Sequence, residues 1–195
     1  MIRNVCVYGA GSKSLHPDYY AASEELGRLL AQNGIGVVYG GGNTGVMGYT
    51  AQGALQAGGR VIGVAPEFMA PRGVLLEECE LIYTKDMRSR KQKMEELSDA
   101  FVCMPGGLGT LEEMFEIITA KTLGLHGKPI VVVNLRGIFD DLTRLAEKFV
   151  AEGFAPRACI ESYRVVEDVK SAVEYLLHAQ PDENPQWLKY NAKAD

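Results

Sequence analysis

The sequence predicts one α/β domain, a doubly wound parallel sheet with helices on both faces. Three observations carry this. Short apolar runs alternate with segments of helical periodicity along nearly the whole chain. Several of those runs are apolar without interruption, as strands covered on both faces must be. Three of them end in glycine clusters, at residues 9–12, 40–48 and 106–110.

The first strand covers 2–8 and ends in Gly9-Ala10-Gly11-Ser12. A helix follows over 17–33, where Tyr20, Leu26, Leu29 and Leu30 recur at helical spacing and Gly34 supplies the stop. The second strand, 35–39, runs into Gly40-Gly41-Gly42-Asn43-Thr44-Gly45-Val46-Met47-Gly48, and a small-residue helix over 45–57 leads to a third strand at 60–65. Residues 66–78, with Pro66, Pro71 and Gly73, form an irregular connection. A short strand near 81–83 precedes a polar helix at 87–98. Then come the buried strand Ala100-Phe101-Val102-Cys103-Met104, a helix over 111–123, a strand at 129–133 and a helix at 139–151. A strand at 164–166 and a helix at 168–178 complete a domain over residues 1–179. Residues 180–195 read as a polar, extended tail, with Trp187 and Tyr190 available to pin it to a neighbouring surface.

With 195 residues and 47% hydrophobic content, the chain buries a single core. A formal charge of −5 argues against a nucleic-acid backbone binder, which needs a basic face. No apolar run approaches the ~18 residues of a membrane span, and the chain opens directly on a strand without a signal-peptide pattern. The cysteines (Cys6, Cys79, Cys103, Cys159) are scattered, with Cys6 and Cys103 inside strand runs, which fits a reducing, cytoplasmic setting. His16, His126 and His178 adjoin none of the glycine clusters and form no metal spacing, so neither a zinc site nor a histidine-activated nucleophile is expected.

In open α/β sheets, ligands bind beyond the carboxyl ends of the strands, so the three glycine clusters converge on one crevice. Gly106-Gly107-Leu108-Gly109-Thr110 stands between a strand and a helix, where backbone N–H groups and the helix dipole make a seat for an anion, most often a phosphate. A dinucleotide is not favoured: Ser14 stands where the fingerprint needs its third glycine, and no acid closes the second strand. Two features each have two readings. Thr110-Leu111-Glu112-Glu113 fits a capping box, or places the carboxylate of Glu113 beside the anion seat, with Glu112 and Glu116 as weaker candidates. Asp86-Met87-Arg88-Ser89-Arg90-Lys91-Gln92-Lys93 fits a solvated helix face, or offers an arginine to an anionic ligand. Lys91 and Lys93 lie on a polar helix, a poor setting for a Schiff-base lysine.

Pro105-Gly106-Gly107-Leu108-Gly109-Thr110-Leu111-Glu112-Glu113 matches P-G-G-x-G-T-x-x-E, and Asp86-Met87-Arg88-Ser89-Arg90-Lys91 matches D-M-x-x-R-K. With the second glycine cluster, over residues 2–178, the chain resembles the LOG (Lonely Guy) family of cytokinin riboside 5'-monophosphate phosphoribohydrolases, long mislabelled lysine decarboxylases. The resemblance implies a Rossmann-like fold and hydrolysis of the N-glycosidic bond of AMP or an N6-substituted AMP, without metal or cofactor. It implies Arg90 and Glu113 as catalytic residues. It implies nucleotide contacts from Lys91, from Gly106, Gly107, Leu108, Gly109, Thr110, Leu111 and Glu112, and from Thr119. Gly42 and Met47 are expected there through the second cluster, with Met47 read either as packing against the base or equally as a core methionine. Arg90 is expected to pair with Glu113 and keep it ionised. A homodimer with sites near its interface is also implied. Arg88 stands where many members have His. The alternatives are a broader purine or pyrimidine 5'-monophosphate nucleosidase, or a non-catalytic carrier of a nucleotide or the molybdenum cofactor.

Overall fold

A computed structural model describes residues 1–182. The strands are β1 (Asn4–Tyr8), β2 (Gly36–Tyr39), β3 (Val61–Pro66), β4 (Glu80–Thr84), β5 (Ala100–Cys103), β6 (Ile130–Val133) and β7 (Arg164–Val166). The helices are α1 (Pro17–Gln32), α2 (Gly45–Gln56), α3 (Met87–Glu96), α4 (Leu108–Thr122), α5 (Asp140–Ala151), α6 (Arg157–Glu161) and α7 (Val169–His178). All strand pairs are parallel, in the order β4-β3-β2-β1-β5-β6-β7. The order reverses between β1 and β5, which pair from Val5 with Ala100 to Tyr8 with Cys103. A crevice opens at such a switch point.

Side chains alternate across β1 with the period of two that strands impose. Val5 and Val7 join Leu26 and Leu30 of α1, Ala51 and Ala54 of α2, and Val173 and Leu176 of α7. Cys6 and Tyr8 face the other way, toward Met94 of α3 and Met114, Ile117 and Ile118 of α4. Every residue of β2, β5 and β6 is buried, which is why those runs carry no polar alternation. Gly34 follows α1 with φ at 71°, the left-handed turn that ends a helix cheaply only at glycine.

The elements differ from the sequence reading at a few ends. Pro66 closes β3, paired with Thr84, rather than opening the irregular stretch, and Glu67–Arg72 coils as a 3-10 turn. The unexpected α6 is a five-residue turn after Pro156. The helix expected over 111–123 begins at Leu108, with Gly107 as its N-cap. Beyond α7 the backbone N–H of Asp182 donates to the carbonyl of Gly127 (2.7 Å). Of the tail expected over 180–195, residues 183–195, with Trp187 and Tyr190, lie outside the described residues. Among the described residues no helix is long and apolar enough to cross a membrane.

Candidate active site

The loops after β1 and β5 meet at the switch point. The backbone N–H of Ala10 donates to the carbonyl of Pro105 (3.1 Å), and that of Met104 to the carbonyl of Tyr8 (2.8 Å). Thr44, after β2, closes the third side by donating its hydroxyl to the carbonyl of Gly11 (2.8 Å). The three glycine clusters therefore do converge. The cleft between them, about 410 Å³, is walled by Gly9 to Ser12, by Met47 and Met87, and by Gly107, Gly109, Thr110, Glu112 and Glu113.

One wall is the start of α4. No side chain caps this helix, so its first N–H groups are free to receive an anion. The capping box expected at Thr110 and Glu113 is absent. With the N-cap at Gly107, Thr110 is already inside the first turn, and its hydroxyl packs against Gly106, where a Cβ would lie 2.1 Å from Oγ1. Gly109 obscured this start, because glycine is a poor helix former yet is tolerated in a first turn. Glu113 thus has no capping duty, and its carboxylate turns inward at 8% exposure.

The capping box belongs instead to α3. Asp86 Oδ1 accepts the Ser89 N–H (2.8 Å) while Ser89 Oγ accepts the Asp86 N–H (3.1 Å). This fixes the first turn of α3 and sends the next residue, Arg90, under the crevice at 5% exposure. Arg90 Nη1 donates to Glu113 Oε1 (2.9 Å) and its Nε to the carbonyl of Val64 (3.1 Å). Lys91 makes a second rung between the helices, 2.5 Å from Glu112 Oε1 and 2.8 Å from Glu116 Oε2. Burial pulls the Lys91 ammonium down, but the two carboxylates more than reverse this and leave its pKa raised. Such a lysine stays protonated, which agrees with the expectation against Schiff-base chemistry.

The expected pairing of Arg90 with Glu113 is present. Burial raises its pKa above 4.5 and outweighs the opposing pull of Arg90, so the ion pair does not hold the acid below its ordinary range.

The predicted residues are not all gathered. Met47, Gly107, Gly109, Thr110, Glu112 and Glu113 line the cleft; Arg90 and Lys91 support it through their acid partners, and Gly106 and Leu108 flank the anion seat. Leu111 instead packs against the core around Met114. Gly42 bridges to Leu75 and does not line the cleft. Thr119 is on the exposed face of α4, seven residues beyond Glu112, or roughly 10 Å along the helix. Met87, which also lines the cleft, was missed; its place beside the cap residue Asp86 was the available signal.

A family model described as "Possible lysine decarboxylase" matches residues 47–176. The Oryza sativa subsp. japonica protein named cytokinin riboside 5'-monophosphate phosphoribohydrolase LOG is 38% identical over 176 residues, covering 90% of this chain and 72% of that one. The Arabidopsis thaliana cytokinin riboside 5'-monophosphate phosphoribohydrolase LOG7 is 37% identical over 178 residues, covering 89% and 82%. Among solved structures, the molybdenum cofactor carrier protein of Chlamydomonas reinhardtii matches with a TM-score of 0.68 and 25% identity over 91% of this chain and 99% of that one. The molybdenum cofactor binding protein of Rippkaea orientalis, at 22% identity and a TM-score of 0.70 over 90% and 95% of the two chains, shares the fold. Identity sustained over most of both sequences, together with the family match across two thirds of this one, means that the chain belongs to the LOG family.

Proposed function

We propose that this protein hydrolyses the N-glycosidic bond of AMP-type nucleotides, AMP itself or its N6-substituted forms, to free base and ribose 5-phosphate. The observation that carries this is the juxtaposition of a buried acid, Glu113 with Arg90 at 2.9 Å, and an uncapped helix N-terminus in one cleft. The N–H groups at the start of α4 hold the 5'-phosphate. Glu113 then faces the sugar, where cleavage develops oxocarbenium-like positive charge at the anomeric carbon. Stabilising that charge, activating water and attacking the carbon all require the ionised carboxylate. Arg90 orients this carboxylate, and the fixed phosphate holds the reacting bond against it, so binding remote from the chemistry lowers the barrier. Met47 and Met87 offer soft, polarisable walls to a planar base.

The functional unit in this reading is a cytosolic homodimer. Along α4 the exposed residues Leu108, Phe115 and Leu123 form an apolar stripe, with Leu108 at 86% exposure, and Thr119 lies on the same side. A second copy seated there brings Thr119 and the mouth of the cleft to the interface.

The carrier reading is favoured by the fold shared with the molybdenum cofactor proteins. A carrier has no use for a buried arginine–carboxylate pair aimed at its ligand, so the hydrolase is preferred. Incubation with AMP, N6-isopentenyl-AMP and a pyrimidine 5'-monophosphate distinguishes the possibilities. Release of adenine and of N6-isopentenyladenine, each with ribose 5-phosphate, is the expected result. Release from the pyrimidine nucleotide at a similar rate makes the protein a broader nucleosidase, and binding without release makes it a carrier.

A further inference from the structure

Arg90 is confined by more than its two hydrogen bonds. It reaches the space between the end of β2 and the middle of β3, where Val64 offers its carbonyl to Nε. On the opposite side stands Gly40, the first residue after β2. A Cβ built on Gly40 would lie 1.9 Å from Arg90 Nη2, 3.0 Å from Cζ and 3.5 Å from Nε. Its three nearest neighbours are thus all atoms of one guanidinium. The backbone of Gly40 does not have a left-handed φ, so an alanine fits the local chain without strain. What glycine provides here is volume, and Arg90 uses it.

From this geometry we infer that Gly40 is a positioning residue for the reaction: by lacking a side chain it forms the slot that aligns the Arg90 guanidinium between the Val64 carbonyl and Glu113. The inference rests on the catalytic reading of Arg90 and Glu113 and extends it to a residue with no functional group. A methyl group at position 40 must push Nη2 out of the slot. Nη1 belongs to the same rigid plane, so it leaves Glu113 when Nη2 moves. The fold itself loses little, because the displaced atoms are the end of a long side chain rather than backbone.

The test is a double-mutant cycle on the full chain, made of wild type, Gly40→Ala, Arg90→Ala and the double variant. In thermal unfolding, Gly40→Ala lowers Tm in the wild-type background and hardly changes it when Arg90→Ala has emptied the slot. In adenine release from AMP, Gly40→Ala lowers kcat by about 100-fold, the scale of a roughly 1 Å misplacement of a catalytic group, while KM changes much less. The acid limb of kcat/KM also moves to higher pH, because the cation facing Glu113 has withdrawn. The other groups around that carboxylate are Lys91 on α3, Glu112 on α4, Cys6 and Tyr8 on β1 and Cys103 on β5, and the substitution leaves all of them in place.

Equal Tm losses in both backgrounds would mean that alanine disturbs something other than Arg90, and overturn the inference. So would a Gly40→Ala kcat close to wild type. A wild-type protein that releases no base from any nucleotide defeats the proposed hydrolysis instead, and the melting cycle still decides whether the slot exists.

Discussion

Replacing Glu113 by glutamine separates chemistry from structure at this site. The wild-type contact is a charged hydrogen bond of 2.9 Å between side chains that are almost fully buried. Glutamine keeps an oxygen that can accept from Arg90 Nη1, and Arg90 keeps the carbonyl of Val64. What disappears is the charge-assisted part of the bond, about 1–2 kcal/mol, together with the desolvation cost of the buried carboxylate that raises its pKa. The two changes oppose each other, so Tm stays close to wild type, within roughly 2–4 °C, the scale of 1 kcal/mol in a chain of this size. The effect on turnover is far larger, because an ionised carboxylate opposite the developing cation contributes about 10²–10⁴-fold. Adenine release from AMP, followed by chromatography over hours, measures it. Turnover within tenfold of wild type would refute the reasoning and leave Glu113 as a mere support for Arg90. The pH dependence is a second reading. Burial raises the Glu113 pKa above 4.5, so the acid limb of wild-type kcat/KM lies above pH 4.5. For stability the sign is that of a raised acid: its contribution is complete below pH 4.5 and is lost as pH rises through the folded value, and Glu113→Gln abolishes that slope.

Gly106→Ala forces a methyl group to within 2.1 Å of the Thr110 hydroxyl, displaces the start of α4 and raises KM for AMP roughly tenfold in steady-state assays, the loss of about one hydrogen bond to phosphate. His126 is held neutral: its Nε2 donates to the carbonyl of Ile117, its Nδ1 accepts from the Lys128 N–H, and burial pushes its pKa from 6.5 down to about 4. Stability present above pH 6.5 is therefore lost as pH falls toward 4, by about 1–2 kcal/mol after discounting the solvent-facing part of the ring, and His126→Asn flattens that part of the urea-unfolding profile. The proposed homodimer predicts a light-scattering mass of twice the 21.3 kDa of one chain, halved by Phe115→Glu on the exposed stripe of α4.

The order of strands and helices was legible because burial on both faces leaves β2, β5 and β6 with uninterrupted apolar runs. The five residues of α6 span barely more than one turn, too few for periodicity to register. At α4 the sequence misled. Thr110 and Glu113 have the spacing of a cap, but the spacing says nothing about Gly107, which takes that role three residues earlier. The glycine clusters announced a crevice, since its position follows from topology. The Arg90–Glu113 contact did not announce itself, because it joins helices on either side of β5 and depends on their depth of packing. Only the family resemblance supplied it. The slot at Gly40 was less visible still, as a glycine among glycines shows no sign of whose side chain fills its space.

The middle strand of the sheet is the first one made. β1 can pair with β2 early in synthesis, but its other edge waits for Ala100–Cys103, almost a hundred residues later. Until then a nascent chain presents an apolar, unprotected edge on Val5, Cys6, Val7 and Tyr8, the kind that recruits foreign strands. The same delay applies to the cleft, whose floor and far wall come from opposite halves of the polypeptide. A fragment ending before β5 would carry two of the three glycine loops, no anion seat and a strong tendency to aggregate.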